Sequence, residues 1–210
     1  MKSFLPISFL LLLAACGSVD LPGVNIDDVA RDAGMSPLGM TPLPEGKQEI
    51  RLWLSTGIVL PNQMLRLTYA HDRWLGELWR YWPRDDAEHG VYGWAHENLD
   101  QTMERCGCAR TIRGPENAVC RVVEEKAIDW ESVALRLKQL DVAGLPQEPA
   151  SASGMVTSGP EGNVLDVEVR AGGAYHHVRY GHFDNSEDAR RAGRTVQMMK
   201  DLDSTTRCDR

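Results

Sequence analysis

Beyond residue 16 the chain lacks any run of apolar residues long enough for a membrane-spanning helix. It also lacks a basic excess. With 23 Lys and Arg against 30 Asp and Glu, its formal charge is −7. That balance argues against nucleic acid as a partner and against attachment to anionic lipid by charge. Catalytic signatures are missing too: no Gly-x-Ser-x-Gly elbow, Ser-x-x-Lys, His-Glu-x-x-His or phosphate-cradling glycine loop occurs. A glycosidase's carboxylate pair is set by spatial spacing, so no motif reports it. Asp85, Asp86, Glu88, Glu124 and Glu125 sit in charged stretches that read as solvated surface. The expectation is therefore a non-catalytic protein that needs no cofactor. No sequence unit repeats, and the length suits one domain with a real core.

What is present begins at Met1-Lys2-Ser3, a single positive charge followed by an apolar stretch that ends in Ala14-Ala15-Cys16. This is the order of a secretory signal, and it is too short to act as a transmembrane helix. The ending Leu13-Ala14-Ala15-Cys16 resembles the lipobox of bacterial lipoproteins. The resemblance implies that residues 1–15 are removed and that Cys16 is acylated, becoming the new N-terminus and the membrane anchor. In enteric members of that family an Asp after the cysteine retains the protein at the inner membrane. Gly17 stands there, so the resemblance implies a periplasm-facing anchor in the outer membrane. Loss of the first 15 residues leaves 195, and with Lys2 gone the formal charge moves from −7 to −8. Several acyl chains make stable anchoring reasonable where one chain is marginal.

Residues 16–47 read as the lipidated cysteine and a flexible tether, because Pro and Gly are scattered through them and large apolar residues are few. A short helical turn over 26–31 has little with which to hold a core. Residues 48–210 read as a single α+β domain, an antiparallel sheet built from hairpins with two or three packed helices. Ile50, Leu52 and Leu54 alternate with Arg51, Trp53 and Ser55, the period of a half-buried strand. Residues 64–69 repeat the alternation, and 73–82 pair with them through a turn at His71-Asp72. Residues 83–128 are the least regular part, with a short helix over 97–105 and a strand over 118–123. Asp129 caps a helix carrying Trp130, Val133, Ala134, Leu137 and Leu140. Residues 147–163 read as a long exposed loop, 164–170 and 175–180 as a hairpin, and Ser186 as the cap of a last helix.

Four cysteines, Cys106, Cys108, Cys120 and Cys208, remain beside Cys16. Their spacing is not that of a zinc knuckle, C-x-x-C is absent, and an exported protein meets oxidising machinery, so disulfides are expected. A Cys106–Cys108 ring would be very tight, which leaves these two to pair with Cys120 and Cys208 in either order. His176 and His177 lie on opposite faces of their strand and make no chelate; together with His182 and Asp184 they read as surface residues and no metal site. Trp74 and Trp82 share one face of 73–82, Trp79 and Tyr81 the other, and Trp53 stands away from its strand's aliphatic face. One face of the sheet therefore offers Trp53, Trp79 and Tyr81 as a candidate binding surface unless something covers it. The functional expectation is a lipid-anchored module that binds a protein of the envelope, as a scaffold, assembly factor or inhibitor such as an immunity protein. Its rival is a protein that binds or cleaves cell-wall glycan.

Overall fold

A computed structural model of the chain describes residues 25–55, 62–83, 103–104, 107–115, 117–122, 127–147, 163–181 and 186–203. In order these form α1 (Ile26–Asp32), a 3-10 turn at Leu38–Met40, β1 (Gln48–Ser55), β2 (Asn62–Ala70), β3 (Arg73–Pro83), β4 (Cys108–Arg113) and β5 (Asn117–Val122). Then come α2 (Trp130–Gln139), a 3-10 turn at Val142–Gly144, β6 (Val164–Ala171), β7 (Ala174–Tyr180) and α3 (Glu187–Asp203). The strands make one antiparallel sheet in the order β4-β5-β3-β2-β1-β6-β7. This is the α+β class expected of the alternation.

Tight turns set the two hairpins that carry most of the sheet. Ala70 pairs with Arg73, so His71 and Asp72 alone make the β2–β3 loop, both with positive φ (54° and 60°). That is the geometry whose twist matches paired strands, and His and Asp tolerate it better than most residues. Between β6 and β7 the same job falls to Gly172 and Gly173, with Gly172 at φ 56°.

The aliphatic face is closed by two helices. Leu52, Leu54, Leu65, Leu67, Leu78, Val167 and Val178 meet Val133, Ala134 and Leu137 of α2 and Ala192, Val196 and Met199 of α3. Asp129 caps α2 by accepting from Ser132 N at 3.2 Å, and Ser186 Oγ accepts from Ala189 N at 3.2 Å at the start of α3.

The opposite face is closed as well, by residues expected to be tether. From Asn25 onward the segment belongs to the folded body. Ile26, Val29, Ala30 and Ala33 form one apolar stripe that packs on Trp53, Met64, Tyr81 and Val119. A seven-residue helix is marginal alone, and caps at both ends explain its persistence. Asn25 Oδ1 accepts from Asp27 N at 3.1 Å. Gly34, at φ 74°, lets its own N–H reach Arg31 O and that of Met35 reach Ala30 O, the double bond of a glycine-terminated helix. The chain then returns across the sheet, burying Leu38 completely. Burial of each such aliphatic side chain contributes about 1.5–3 kcal/mol. Polar ties fasten this strap: Asn117 Nδ2 donates to Asp32 Oδ2 (2.9 Å), Arg51 Nη1 to Ser36 O (3.0 Å) and Arg170 Nη1 to Gly39 O (2.9 Å).

The region read as least regular supplies two strands. β5 pairs with β3 over Trp79–Pro83, and β4 lies outside it with a register shift between Cys108 and Thr111. Cys108 and Cys120 join the two strands in a disulfide, with Cα atoms 5.7 Å apart. Cys16, Cys106 and Cys208 lie outside the described residues, as do most of the helix expected over 97–105 and most of loop 147–163. Among the described residues no helix is long and apolar enough to cross a membrane.

Candidate functional site

Strand alternation puts charged residues on the strap-covered face at i and i+2: Glu49 and Arg51 on β1, Asp166 and Glu168 on β6, His177 and Arg179 on β7. Register then lines them up across the sheet, Arg51 opposite both Arg66 and Glu168, Arg66 opposite Glu77, Glu168 opposite His177. The result is a belt of alternating sign. Arg121 Nη1 bonds Glu77 Oε1 at 3.0 Å, and Arg66 Nη1 bonds Glu77 Oε2 at 3.3 Å. Arg66 Nε and Arg51 Nε then share Glu49 Oε1, at 2.7 and 2.8 Å. Burial alone would raise the Glu49 carboxyl, but the bond from Arg66 and the charge of Arg51 outweigh it and hold it below its ordinary value.

Beyond Arg51 the belt turns into a second cluster. Glu168 is buried and accepts from Trp53 Nε1 at 2.7 Å and from the Tyr175 hydroxyl at 2.9 Å. Burial pushes its carboxyl up against the pull of those donors. Asp166, also buried, takes Arg179 on both oxygens (2.8 and 3.0 Å) and His177 Nε2 on one (3.0 Å). That bond raises His177 in spite of its partial burial. A carboxylate orienting a histidine also occurs in hydrolases. Here Arg179 occupies the same carboxylate, and the Ser55 hydroxyl on this face lies 3.3 Å from the Tyr81 hydroxyl. Asp166 and Glu168 are thus buried carboxylates that each accept hydrogen bonds from neighbouring donors, which is what burial of ions demands.

Among the described residues an open feature lies where β5 ends and β3 runs on. A cavity of about 550 Å³ is lined by Leu75, Gly76, Val122 and Trp130 and by Arg66, Thr68, Glu77 and Arg121. Gly76 is required there: a Cβ would lie 2.2 Å from the Trp130 ring, so only glycine lets the indole rest on the strand. Glu131 Oε1 accepts from Trp74 N at 2.6 Å, tying the start of α2 to the same strand. Leu75 and Arg121 are exposed at its rim.

The three aromatics expected to form a surface divide. Trp53 is 0% exposed and Tyr81 1%. They meet edge to face with centroids 6.0 Å apart beneath α1, so neither presents a surface. Trp79 is half-buried beside them, with Nε1 3.4 Å from Glu77 Oε2. The unexpected cover is the strap, whose apolar i, i+3, i+4, i+7 spacing and flanking Asn25 and Gly34 were the available signal. His176 and His177 do point to opposite faces, one to Leu145 O (2.9 Å) and the other to Asp166; His182 and Asp184 lie outside the described residues. Among the described residues no cluster of metal-ligating side chains occurs. Arg66, Glu77 and Arg121 were missed because charges on the second face of a strand read as solvent-facing.

Fold and site define an α+β protein whose single antiparallel sheet is covered on both faces and carries a belt of ion pairs under one cover. Compared with known protein families, characterised proteins and solved structures, the chain has no match.

Proposed function

We propose that this chain is a lipid-anchored lipoprotein of the bacterial envelope, held through Cys16 and probing the periplasm with a non-catalytic protein-binding module. The lipobox supports the address. The observation that supports binding is the cavity beside β3. Its lining brings Trp130 and Leu75 together with Arg66 and Arg121, and Trp and Arg are the residues that dominate protein interfaces. The inner part of the belt, Glu49, Arg51, Asp166 and Glu168, is buried and internally paired and offers a partner little.

A photo-crosslinking residue at Leu75 tests the reading in intact cells. The expected result is a discrete protein adduct that Arg121→Glu, an exposed substitution, reduces about tenfold while the circular dichroism spectrum stays unchanged. A crosslink pattern identical to that from a probe at Ile112 sinks it. A glycan-binding role is the second reading, favoured by the Trp130 ring beside polar side chains that suit a sugar. Sedimentation with purified peptidoglycan, lost in Arg121→Glu, supports that role instead.

A further inference from the structure

We infer that His177 is a proton-dependent latch on the strap. While its ring is protonated, the strap end at Leu38–Met40 stays closed over Tyr175; when the ring gives up the proton, that end loosens. The inference concerns the folded body alone and does not depend on the anchor.

Register places His177 between two buried carboxylates. It stands directly opposite Glu168 on β6, and its Nε2 lies 3.0 Å from Asp166 Oδ1. Asp166 and Glu168 are each 1% exposed and share one face of β6 at i and i+2. Arg179 takes Asp166 on both oxygens. Glu168 instead accepts from neutral donors, Trp53 Nε1 and the Tyr175 hydroxyl. Among the described residues the cations that act on it are Arg51 and His177, and Arg51 also serves Glu49 and Ser36 O. Asp27 of α1 adds a negative charge near Tyr175, while strap residues Ser36–Met40 carry no charge. Without the His177 proton, Glu168 is a buried carboxylate whose remaining cation is shared with Glu49, a costly state in a protein interior.

Glu168 reaches the strap through Tyr175. The Tyr175 hydroxyl donates to it at 2.9 Å, and the ring lies so near Gly39 that a Cβ there would come within 3.1 Å. Opening this end of the strap admits water to Glu168 and relieves the uncompensated charge. The His177 side chain is 37% exposed, so its proton exchanges with solvent while the strap stays shut. The bond to Asp166 favours the protonated ring over the cost of partial burial, with the charge of Glu168 adding to it and that of Arg179 opposing. A ring whose pKa is higher in the closed state holds the strap below the open-state value and releases it as pH rises through the closed one.

The test is amide hydrogen exchange by NMR on the full chain at about pH 5.5 and about pH 8.5, each rate corrected for the intrinsic rise of exchange with pH. The amides of Met40 and Thr41, bonded to Pro37 O and Leu38 O, report on the strap end, and that of Leu140, bonded to Arg136 O, reports on α2. Each pKa unit between closed and open states is a factor of ten, so protection of Met40 and Thr41 is expected to fall about tenfold at the higher pH while Leu140 stays unchanged. His177→Gln keeps a donor for Asp166 without the charge and is expected to give the low protection at both pH values. Glu168→Gln removes the buried charge and is expected to give the high protection at both. Protection in the parent that ignores pH overturns the latch, as does a loss that Leu140 shares equally. Where His177→Gln fails to fold, Glu168→Gln decides by itself: pH dependence retained in that variant also overturns the latch.

Discussion

Trp53 concentrates the logic of the molecule in one side chain. Its indole is wholly buried, packs edge to face on Tyr81, and donates to the buried carboxylate of Glu168. Trp53→Ala opens a cavity and is expected to lower unfolding free energy by about 3–5 kcal/mol in urea titrations. Trp53→Phe keeps most of the volume but leaves one Glu168 oxygen without its donor, and is expected to cost about 1–3 kcal/mol. If the two variants unfold alike, the hydrogen bond contributes nothing beyond packing. His177 gives the residue scale its pH dependence. Asp166 holds its folded pKa above the ordinary value of 6.5. Folding then favours the protonated ring, so the stabilisation is complete below pH 6.5 and is lost as pH rises through the folded value. A two-dimensional NMR titration is expected to place the His177 transition above 6.5, and Asp166→Asn to bring it down.

At the scale of elements the strap is the part that decides the architecture. Without it, Trp53, Met64, Tyr81 and Val119 would face water together with Glu49, Arg51 and Glu168. A chain starting at Asn25 is therefore expected to fold cooperatively, and one starting at Gln48 to bind a hydrophobic dye and unfold at least 3 kcal/mol more easily, by loss of Leu38, Val29 and Ile26 burial. Equal melting of the two would return residues 25–47 to the status of a linker. The hairpins were legible because alternation and turn chemistry are local: Ile50-Leu52-Leu54, the His71-Asp72 turn and Gly172-Gly173 all declare themselves within a few residues. The caps of α2 and α3 were legible for the same reason. What alternation cannot show is which face meets water. The second face of β1 and β6 carries Arg51 with Trp53 and Asp166 with Glu168, a mixture that suits either solvent or a buried ion network. Only the cover decides, and the cover is a seven-residue helix in a Pro- and Gly-rich stretch where composition pointed to disorder. β4 escaped for a related reason. Its Cys108, Thr111 and Arg113 carry no clean hydrophobic period, and pairing to β5 with a bulge and a disulfide holds it in place. Of the cavity lining, Trp130 is legible in the sequence only as an apolar position of its helix.

For the whole molecule, the question is which force keeps the protein where it is. Removing residues 1–15 leaves a formal charge of −8, which repels anionic lipid instead of attracting it. Two exposed side chains on the strap side, Met40 on the strap and Tyr175 on β7, would contribute a few kcal/mol at most if they entered a headgroup layer. That is too little to hold a protein at a membrane by itself, because even a single myristoyl chain binds only marginally. On the proposed reading, acyl chains on Cys16 would supply the difference at about 0.8 kcal/mol for each buried methylene. Cys16→Ala is accordingly expected to move the protein from the membrane pellet to the soluble fraction. Gly17→Asp leaves the lipids and the body unchanged, and alters only the position at which the lipoprotein family's inner-membrane signal is read. Sucrose-gradient fractionation is expected to find that variant in the inner membrane and the parent in the outer membrane, with both still acylated by mass. Acylated parent and variant banding together would show that residue 17 does not direct sorting here. Cys16→Ala remaining in the pellet would show that the body is held by something other than its lipids.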